Sequence, residues 1–431
     1  MTRLRRHPAG ALIAALVVLL CPLGSPDDTQ GRVGVAEPRS RVLHQPPYEV
    51  RDYWTPARMR AAQPAELRHG TSGRLQSRGS GGGPASPSGV QPTRAADVSA
   101  ESAAFPGRVH GKVFFTIDGG SSPGDYVCSG TVVASNGHAL AWTAGHCVND
   151  AEFGGGFATN WTFVPAYQDG AQPFGSWPAE QLFTTDGWRR HANIRVDLGA
   201  ARLARDAQGR GIEDVIGARG IAFNRDREQT IEAFGYPAQP TLLRPEFNGE
   251  HLYACESPLS GRDQPPGEGP PTLQINCDMS GGSSGGGWVV GAGLVGSVTS
   301  YVASLDLFHL YGPYQGSIAE GLYRAAGGRS LSCAGRAVTN LGGAGPDIFA
   351  GASGGDSFRL AGDADSVLGR GGADRACGGK GADELNGEAG ADRLLGGGGG
   401  DLLIGGPGRD LCDGGPGRDR ARGCELKLRI P

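Results

Sequence analysis

Cys277-Asp278-Met279-Ser280-Gly281-Gly282-Ser283-Ser284-Gly285-Gly286-Gly287-Trp288 places a serine inside a glycine-rich turn, with the apolar run Trp288, Val289, Val290 behind it. Glycines on both sides let the backbone turn tightly and approach a bound molecule closely. Such a turn can aim two backbone N–H groups at one point, which is what an oxyanion hole requires. A Gly/Ser linker has the same composition, and Ser80-Gly81-Gly82-Gly83 looks like one. The two readings separate on whether a base, and a group that orients the base, lie elsewhere in the chain.

Two upstream windows supply them. In Ala141-Trp142-Thr143-Ala144-Gly145-His146-Cys147 a histidine follows a small-residue turn at the end of an apolar stretch. In Ile194-Arg195-Val196-Asp197-Leu198-Gly199-Ala200-Ala201 an aspartate interrupts a largely apolar run, so it is expected to be buried and to need partners. Around these windows short apolar runs alternate with Gly/Asn/Pro/Asp turns: Lys112–Thr116, Gly130–Val133, Thr162–Pro165, Thr230–Phe234 and Leu294–Val298. Strands at such short intervals predict an all-β barrel or sandwich. One short helix is expected, over Ser317–Ala326, with Ile318, Leu322 and Tyr323 on its apolar side.

The three windows together resemble the trypsin/chymotrypsin-like serine peptidases, whose chain order is His, Asp, Ser. Here His146, Asp197 and Ser284 follow that order, separated by 51 and 87 residues. Thr143-Ala144-Gly145-His146-Cys147 matches the family's histidine motif, Val196-Asp197-Leu198 its aspartate window, and Gly282-Ser283-Ser284-Gly285-Gly286 its serine window with one change. The resemblance implies a double β-barrel over residues 107–326. It also implies a catalytic triad of His146, Asp197 and Ser284, an oxyanion hole from the N–H groups of Gly282 and Ser284, and no cofactor for catalysis. It further implies a Cys128–Cys147 disulfide stapling the histidine loop, and a Cys255–Cys277 disulfide bracing a substrate pocket that includes Asp278 and Thr299. Animal trypsins carry an aspartate before the serine, which pairs with a newly freed N-terminus. Ser283 stands there in this chain, so that ion pair cannot form, and an inhibitory leader would act by blocking the cleft. Gly-Gly-Ser-Ser-Gly-Gly and Phe234-Gly235-Tyr236-Pro237 are more similar to the bacterial, glutamyl-endopeptidase-like branch. That branch uses a histidine for glutamate selectivity, and Gly296–Ser300 contains none, so the P1 residue stays open.

After Cys333 the pattern changes. Aspartates fall at 347, 356, 365, 374, 383, 392, 401, 410 and 419, a strict nine-residue period. Gly stands two residues before eight of these nine, and five residues before eight of nine, so the spacing is not that of a disordered Gly-rich tail. The pattern is the Gly-Gly-x-Gly-x-Asp-x-U-x nonapeptide of RTX β-rolls. Carboxylate and carbonyl oxygens of this kind suit Ca²⁺. Asp347, Asp374, Asp383, Asp392, Asp401, Asp410 and Asp419 are the expected ligands; Asp356 and Asp365 lie in degenerate repeats. The predicted fold is therefore a chymotrypsin-like double β-barrel followed by a parallel β-roll that folds around Ca²⁺. Cys412–Cys424 resembles a terminal staple, and Cys333–Cys377 follows by elimination.

The remainder sets the context. Arg3, Arg5 and Arg6 precede the apolar run Ala11–Leu20, an export signal over residues 1–24. Removing it takes Cys21 and leaves eight cysteines, an even number suited to an oxidising, extracellular setting. Residues 25–106, rich in Pro, Gly, Ser and Arg, read as a flexible leader or propeptide. Residues 327–340 read as a linker, 341–424 as the repeats and 425–431 as a tail. A net charge of −4 argues against nucleic acid as a partner. The expected protein is a secreted, monomeric serine endopeptidase acting on peptide substrates, its repeats serving stability, surface attachment or calcium gating. The competing class is a non-catalytic, calcium-dependent adhesion protein carrying an inactive protease-like domain. Chelation is expected to melt residues 341–424 and spare the barrels.

Overall fold

A computed structural model describes residues 38–69, 75–76, 93–104, 107–291, 293–303, 308–328, 332–338, 340–342, 346–351, 354–360 and 362–431. The expected export signal over residues 1–24, with Cys21, and the Gly/Ser/Pro run 77–88 lie outside the described residues.

The first barrel has six antiparallel strands in the order Trp177–Thr184, Thr159–Pro165, His110–Ile117, Gly124–Val133, Leu140–Thr143, Gly199–Leu203. The first and last of these pair with each other, so the sheet closes and has no free edge. His110–Ile117 is buried along its whole length. The period-2 rule explains this: Val113, Phe115 and Ile117 fill the barrel, while Phe114 packs on the other face against Val50, Trp54 and Met59. The second barrel is open. Its strands run Leu294–Val298, Gly287–Val290, Thr230–Gly235, Tyr253–Asp263, Thr272–Asn276, His309–Gly312, Tyr301–Ala303. The expected helix forms over Ser317–Ala325, with Ala319, Leu322 and Tyr323 buried.

The stretch expected to be a flexible leader is folded wherever it is described. Arg39–Val42 pairs with Trp177–Thr184, and two short helices follow, Pro47–Tyr53 and Pro56–Ala61. Gln63–Pro64 pairs in parallel with Tyr126–Val127, and Leu67–His69 in parallel with Tyr301–Ala303. Ala96–Asp97 pairs with Tyr253–Ala254. The anchors are few but large. The Trp54 indole N–H donates to the Asn160 carbonyl at 2.5 Å, and Val50, Trp54 and Met59 are each 3 % exposed or less. Burying side chains of that size is worth about 1.5–3 kcal/mol each, which an average over a polar stretch conceals.

The C-terminal region is a parallel β-roll of two sheets, each strand pairing with the one eighteen residues on. Phe349, Phe358, Val367, Ala376, Leu385, Leu394, Leu403 and Cys412 stack between the sheets as its buried core. Two expected boundaries differ. Within 327–340, Ser332–Cys333 and Arg336–Ala337 form a hairpin, and the Arg336 guanidinium donates to the carbonyls of Ala373 and Gly355. That hairpin caps the roll instead of linking to it. At the far end Leu426–Leu428 adds a further strand, so the tail is the last rung. Glu425 Oε2 accepts the Asp410 N–H at 2.7 Å, the role each aspartate plays for the one eighteen residues before it. The apolar core of the roll and that of the second barrel form one contiguous cluster.

Candidate active site

His146 sits in a single 3-10 turn, Gly145–Cys147, at the end of the strand Leu140–Thr143. Asp197 follows a second such turn, Ile194–Val196. Both are buried, Asp197 completely. Asp197 Oδ2 lies 2.8 Å from His146 Nδ1, Oδ1 accepts the His146 backbone N–H at 2.8 Å, and the Ser300 hydroxyl donates to Oδ2 at 2.6 Å. Three donors meet the desolvation cost of a buried carboxylate. A carboxylate accepting from Nδ1–H leaves the lone pair on Nε2. That Nε2 is buried and has no hydrogen-bond partner among the described residues. Gly145 is required for the approach: a Cβ there would lie 2.8 Å from both Asp197 Oδ1 and Trp188 Cδ1. Ser300 is a site residue that the sequence reading missed.

The serine loop is tied to the histidine loop through its backbone. The Ser284 carbonyl accepts from the Ser129 N–H at 2.7 Å and lies 3.6 Å from Cys147 Sγ. Cys147 is disulfide-bonded to Cys128, as the resemblance implied. The loop's N–H groups divide cleanly. Those of Ser283, Gly285 and Gly286 donate to Ser280, Thr299 and Ser283 carbonyls. No described group accepts from the N–H of Gly282 or Ser284. The Gly281 carbonyl is held by the Ala238 N–H and the Ser283 carbonyl by the Gly286 N–H, so in trans peptides these two free N–H groups point the opposite way. Gly282 has φ +97°, which a glycine adopts at little cost. Ser283, where trypsins carry an aspartate, donates its hydroxyl to the Ser280 carbonyl at 2.6 Å and so fixes the loop without an ion pair.

Asp278, expected in the wall of a substrate pocket, is itself paired: both its oxygens lie 2.7 Å from Arg244 Nη1, and Oδ1 also accepts the Ala95 N–H at 2.8 Å. No local motif announces this pairing, because Arg244 stands 34 residues away in a loop. Thr299 is buried, and its hydroxyl oxygen accepts the Trp288 indole N–H at 2.9 Å. Cys255–Cys277 braces this wall, and Cys412–Cys424 and Cys333–Cys377 form as expected.

In the roll the aspartates form two columns. Each backbone N–H from Asp347 to Asp401 donates to Oδ1 of the aspartate eighteen residues on. The second oxygen, Oδ2, of Asp365, Asp374, Asp383, Asp392, Asp401, Asp410 and Asp419 is buried with no protein partner among the described residues. Beside it runs a glycine cradle. A Cβ at Gly378 would lie 2.3 Å from Asp383 Oδ2 and 2.4 Å from the Gly396 carbonyl, and one at Gly396 would meet Asp401 Oδ2 and the Gly414 carbonyl. Hard oxygens converging on a space closed to side chains fit Ca²⁺. Burial, then neighbouring carboxylates, push the pKa of Asp365 up to about 8, Asp374 to about 7 and Asp383 to about 6. Asp365, passed over as degenerate, shares this geometry. Asp356 shares the column and the cradle, but the guanidinium of Arg225, just before the strand Thr230–Gly235, donates to its Oδ1.

By fold the chain belongs to the chymotrypsin-like serine proteases, with a closed six-stranded barrel, an open partner and the His–Asp pair at the end of a strand of the first. Its C-terminal part consists of RTX calcium-binding nonapeptide repeats, whose family model matches residues 341–376, 368–403 and 386–421. Among solved structures the chain is similar to the protease Anisep from Arthrobacter nicotinovorans, at 37% identity over 51% of this chain and 95% of that one, TM-score 0.45. It is also similar to a thermostable serine protease, AL20, from an extremophilic microorganism, at 37% identity over 51% and 97%, TM-score 0.46. A Glu endopeptidase in complex with MPD matches at 16% identity over 55% and 98%, TM-score 0.41. No curated protein matches the chain.

Proposed function

We propose that the protein is a secreted serine endopeptidase whose RTX roll is held together by Ca²⁺. The observation that carries the catalytic half is the His146–Asp197 pair, with Nε2 left buried and unpartnered among the described residues. In this reading Ser284 Oγ attacks the scissile carbonyl and His146 Nε2 takes its proton. Asp197 holds the tautomer and stabilises the imidazolium. The carbonyl oxygen, now negative, is received by the N–H groups of Gly282 and Ser284, each such donor being worth about 3–4 kcal/mol to the transition state. His146 then returns the proton to the leaving amine. The roll's calcium ligands are Asp365, Asp374, Asp383, Asp392, Asp401, Asp410 and Asp419 with the cradle carbonyls; Asp347 begins the same column. Ca²⁺ supplies the positive charge that buried carboxylates of one column lack.

A fluorophosphonate probe tests the catalytic half. In calcium and with the leader removed, the wild-type chain labels on Ser284 and Ser284→Ala does not. A folded wild type that never labels, with its leader removed, sinks the hydrolytic reading and leaves a calcium-dependent binding protein.

A further inference from the structure

Residues 63–69 cross the cleft between the barrels. Gln63–Pro64 lies along Tyr126–Val127, and the Ala65 N–H donates to the Val127 carbonyl at 3.0 Å. Leu67–His69 lies along Tyr301–Ala303, which continues directly from Ser300. Between these pairings Ala65 and Glu66 are buried. Glu66 passes over the serine loop: a Cβ at Gly281 would lie 3.1 Å from Glu66 Cβ and 3.3 Å from its Cδ. We propose that this segment is a built-in blocker of the substrate cleft, bound backwards, and that cutting the Arg94–Ala95 bond releases it. The proposal rests on the peptidase reading above.

Polarity follows from the chemistry. The imidazole must protonate the leaving amine, so the C-terminal half of a substrate lies on the His146 side of the serine. Tyr126–Val127 is on that side, since it runs into Cys128, which is bonded to Cys147 next to His146. The N-terminal half then lies along Tyr301–Ala303. The blocker has its N-terminal residues, Gln63–Pro64, beside Tyr126–Val127 and its C-terminal residues beside Tyr301–Ala303. It therefore runs against a substrate's direction. The nitrogen that would have to leave is turned away from the imidazole, so the segment fills the cleft without being cut.

The bond that frees it is marked by a seat for a new N-terminus. The Ala95 N–H donates to Asp278 Oδ1 at 2.8 Å, and the Ala95 carbonyl accepts from Arg244 Nη2 at 2.9 Å. Arg244 also donates to Glu246 at 2.7 Å. Arg244, Asp278 and Glu246 together carry one net negative charge, met at present by Arg94, whose guanidinium lies 3.6 Å from Glu246 on a largely exposed side chain. Hydrolysis adds water across Arg94–Ala95: hydroxyl to the Arg94 carbonyl carbon, proton to the Ala95 nitrogen. The product is an α-ammonium where the Ala95 N–H now sits, a charge-assisted partner for Asp278 that replaces the charge of Arg94. Ala96–Asp97, paired with Tyr253–Ala254, anchors the new end. Before the cut the blocker is tethered and its local concentration is high; afterwards only non-covalent pairing retains it, and it dilutes away.

The test uses the full chain in calcium with Gln91→Ile, Pro92→Glu and Thr93→Gly, which turn residues 91–94 into a factor Xa site. Fluorophosphonate labelling is followed before and after cutting and gel filtration. The expected gain on cutting is roughly 10²-fold or more, the scale of a lost tether. An uncut chain that labels as fast as the cut one overturns the blocker, as does a cut chain that gains nothing while a denaturant-stripped and refolded sample labels. If no form labels, the hydrolase reading fails on its own, and amide exchange across Tyr301–Ala303 still decides: protection unchanged by removal of residues 38–94 overturns the blocker. For the seat, Asp278→Asn should lower the Tm of the cut form more than that of the uncut chain; equal losses overturn it. The wild-type protein recovered from its secreting host should begin at Ala95, and a different start overturns the assignment of the bond.

Discussion

Ser300 shows what a single hydroxyl contributes to this site. Asp197 is fully buried, and its Oδ2 is shared between His146 Nδ1 and the Ser300 hydroxyl. Hydrogen bonds to charged groups contribute about 1.5–3 kcal/mol net. Ser300→Ala leaves the two histidine donors in place but frees the carboxylate to turn about its Cγ. The imidazole should then sample wrong orientations, and kcat should fall roughly tenfold to a hundredfold, since 1.4 kcal/mol is a factor of ten. Ser300 is argued to act through Asp197, so KM should change little; a rise in KM with kcat intact would mean that it contacts substrate instead. The residue was invisible in the sequence because its worth depends on a carboxylate 103 positions away. The pairing of His146 with Asp197 was legible because each sits in a short window whose neighbours are dictated by backbone geometry. Gly145 is one such neighbour: the approach of Asp197 and Trp188 excludes a Cβ. The pairing of Asp278 with Arg244 was illegible for the converse reason. A motif places a carboxylate in a wall, but only the fold decides that Arg244 reaches it first.

At the scale of elements, the roll was legible because a nine-residue period admits one geometry, two residues of each repeat being fixed by turn conformation and one by the core. Its ends were not, because they break the period: the Arg336 hairpin and Glu425 do the capping with other residue types. The columns have a pH signature when metal is removed. Asp365, Asp374 and Asp383 have folded pKa values of about 8, 7 and 6, raised by burial first and then by neighbouring carboxylates. A carboxyl whose pKa is raised on folding holds its proton more tightly in the folded state. Its contribution is therefore fully present below the unfolded value near 4 and is lost as pH rises through about 6–8. In EGTA the roll should melt at a lower temperature at pH 8 than at pH 5. Added Ca²⁺ should reverse the order at pH 8, because it binds the ionised form. Calorimetry of the full chain with and without calcium at the two pH values reads this directly. A chelated roll that is more stable at pH 8 would show that the carboxylates are not desolvated as described.

For the molecule as a whole, the leader, barrels and roll share more contacts than their compositions suggested. A chain read by windows falls into a floppy leader, an enzyme and a metal-bound tail, and independence of the last two follows from that reading. The packing argues otherwise. Phe349, Phe358 and Leu360 of the first repeats lie in one apolar cluster with Leu273, Val290 and Leu294 of the second barrel. Arg225 crosses from the barrel to Asp356, and Cys333–Cys377 ties the connecting hairpin to the roll. A side of the barrel core is thus completed by residues whose own order depends on calcium. Exposing three large side chains' worth of that cluster would cost several kcal/mol at about 1.5–3 kcal/mol each, a large fraction of a typical domain's stability. Chelation should therefore lower the melting temperature of the barrels as well as of the roll. All six tryptophans, at 54, 142, 161, 177, 188 and 288, precede the roll, so tryptophan fluorescence follows the barrels and the folded leader alone. Their melting curve should shift down in EGTA, and Arg225→Ala should reduce the shift by loosening the junction. If the fluorescence transition is the same with and without calcium, the two parts are energetically separate despite their contact, and the roll stabilises only itself.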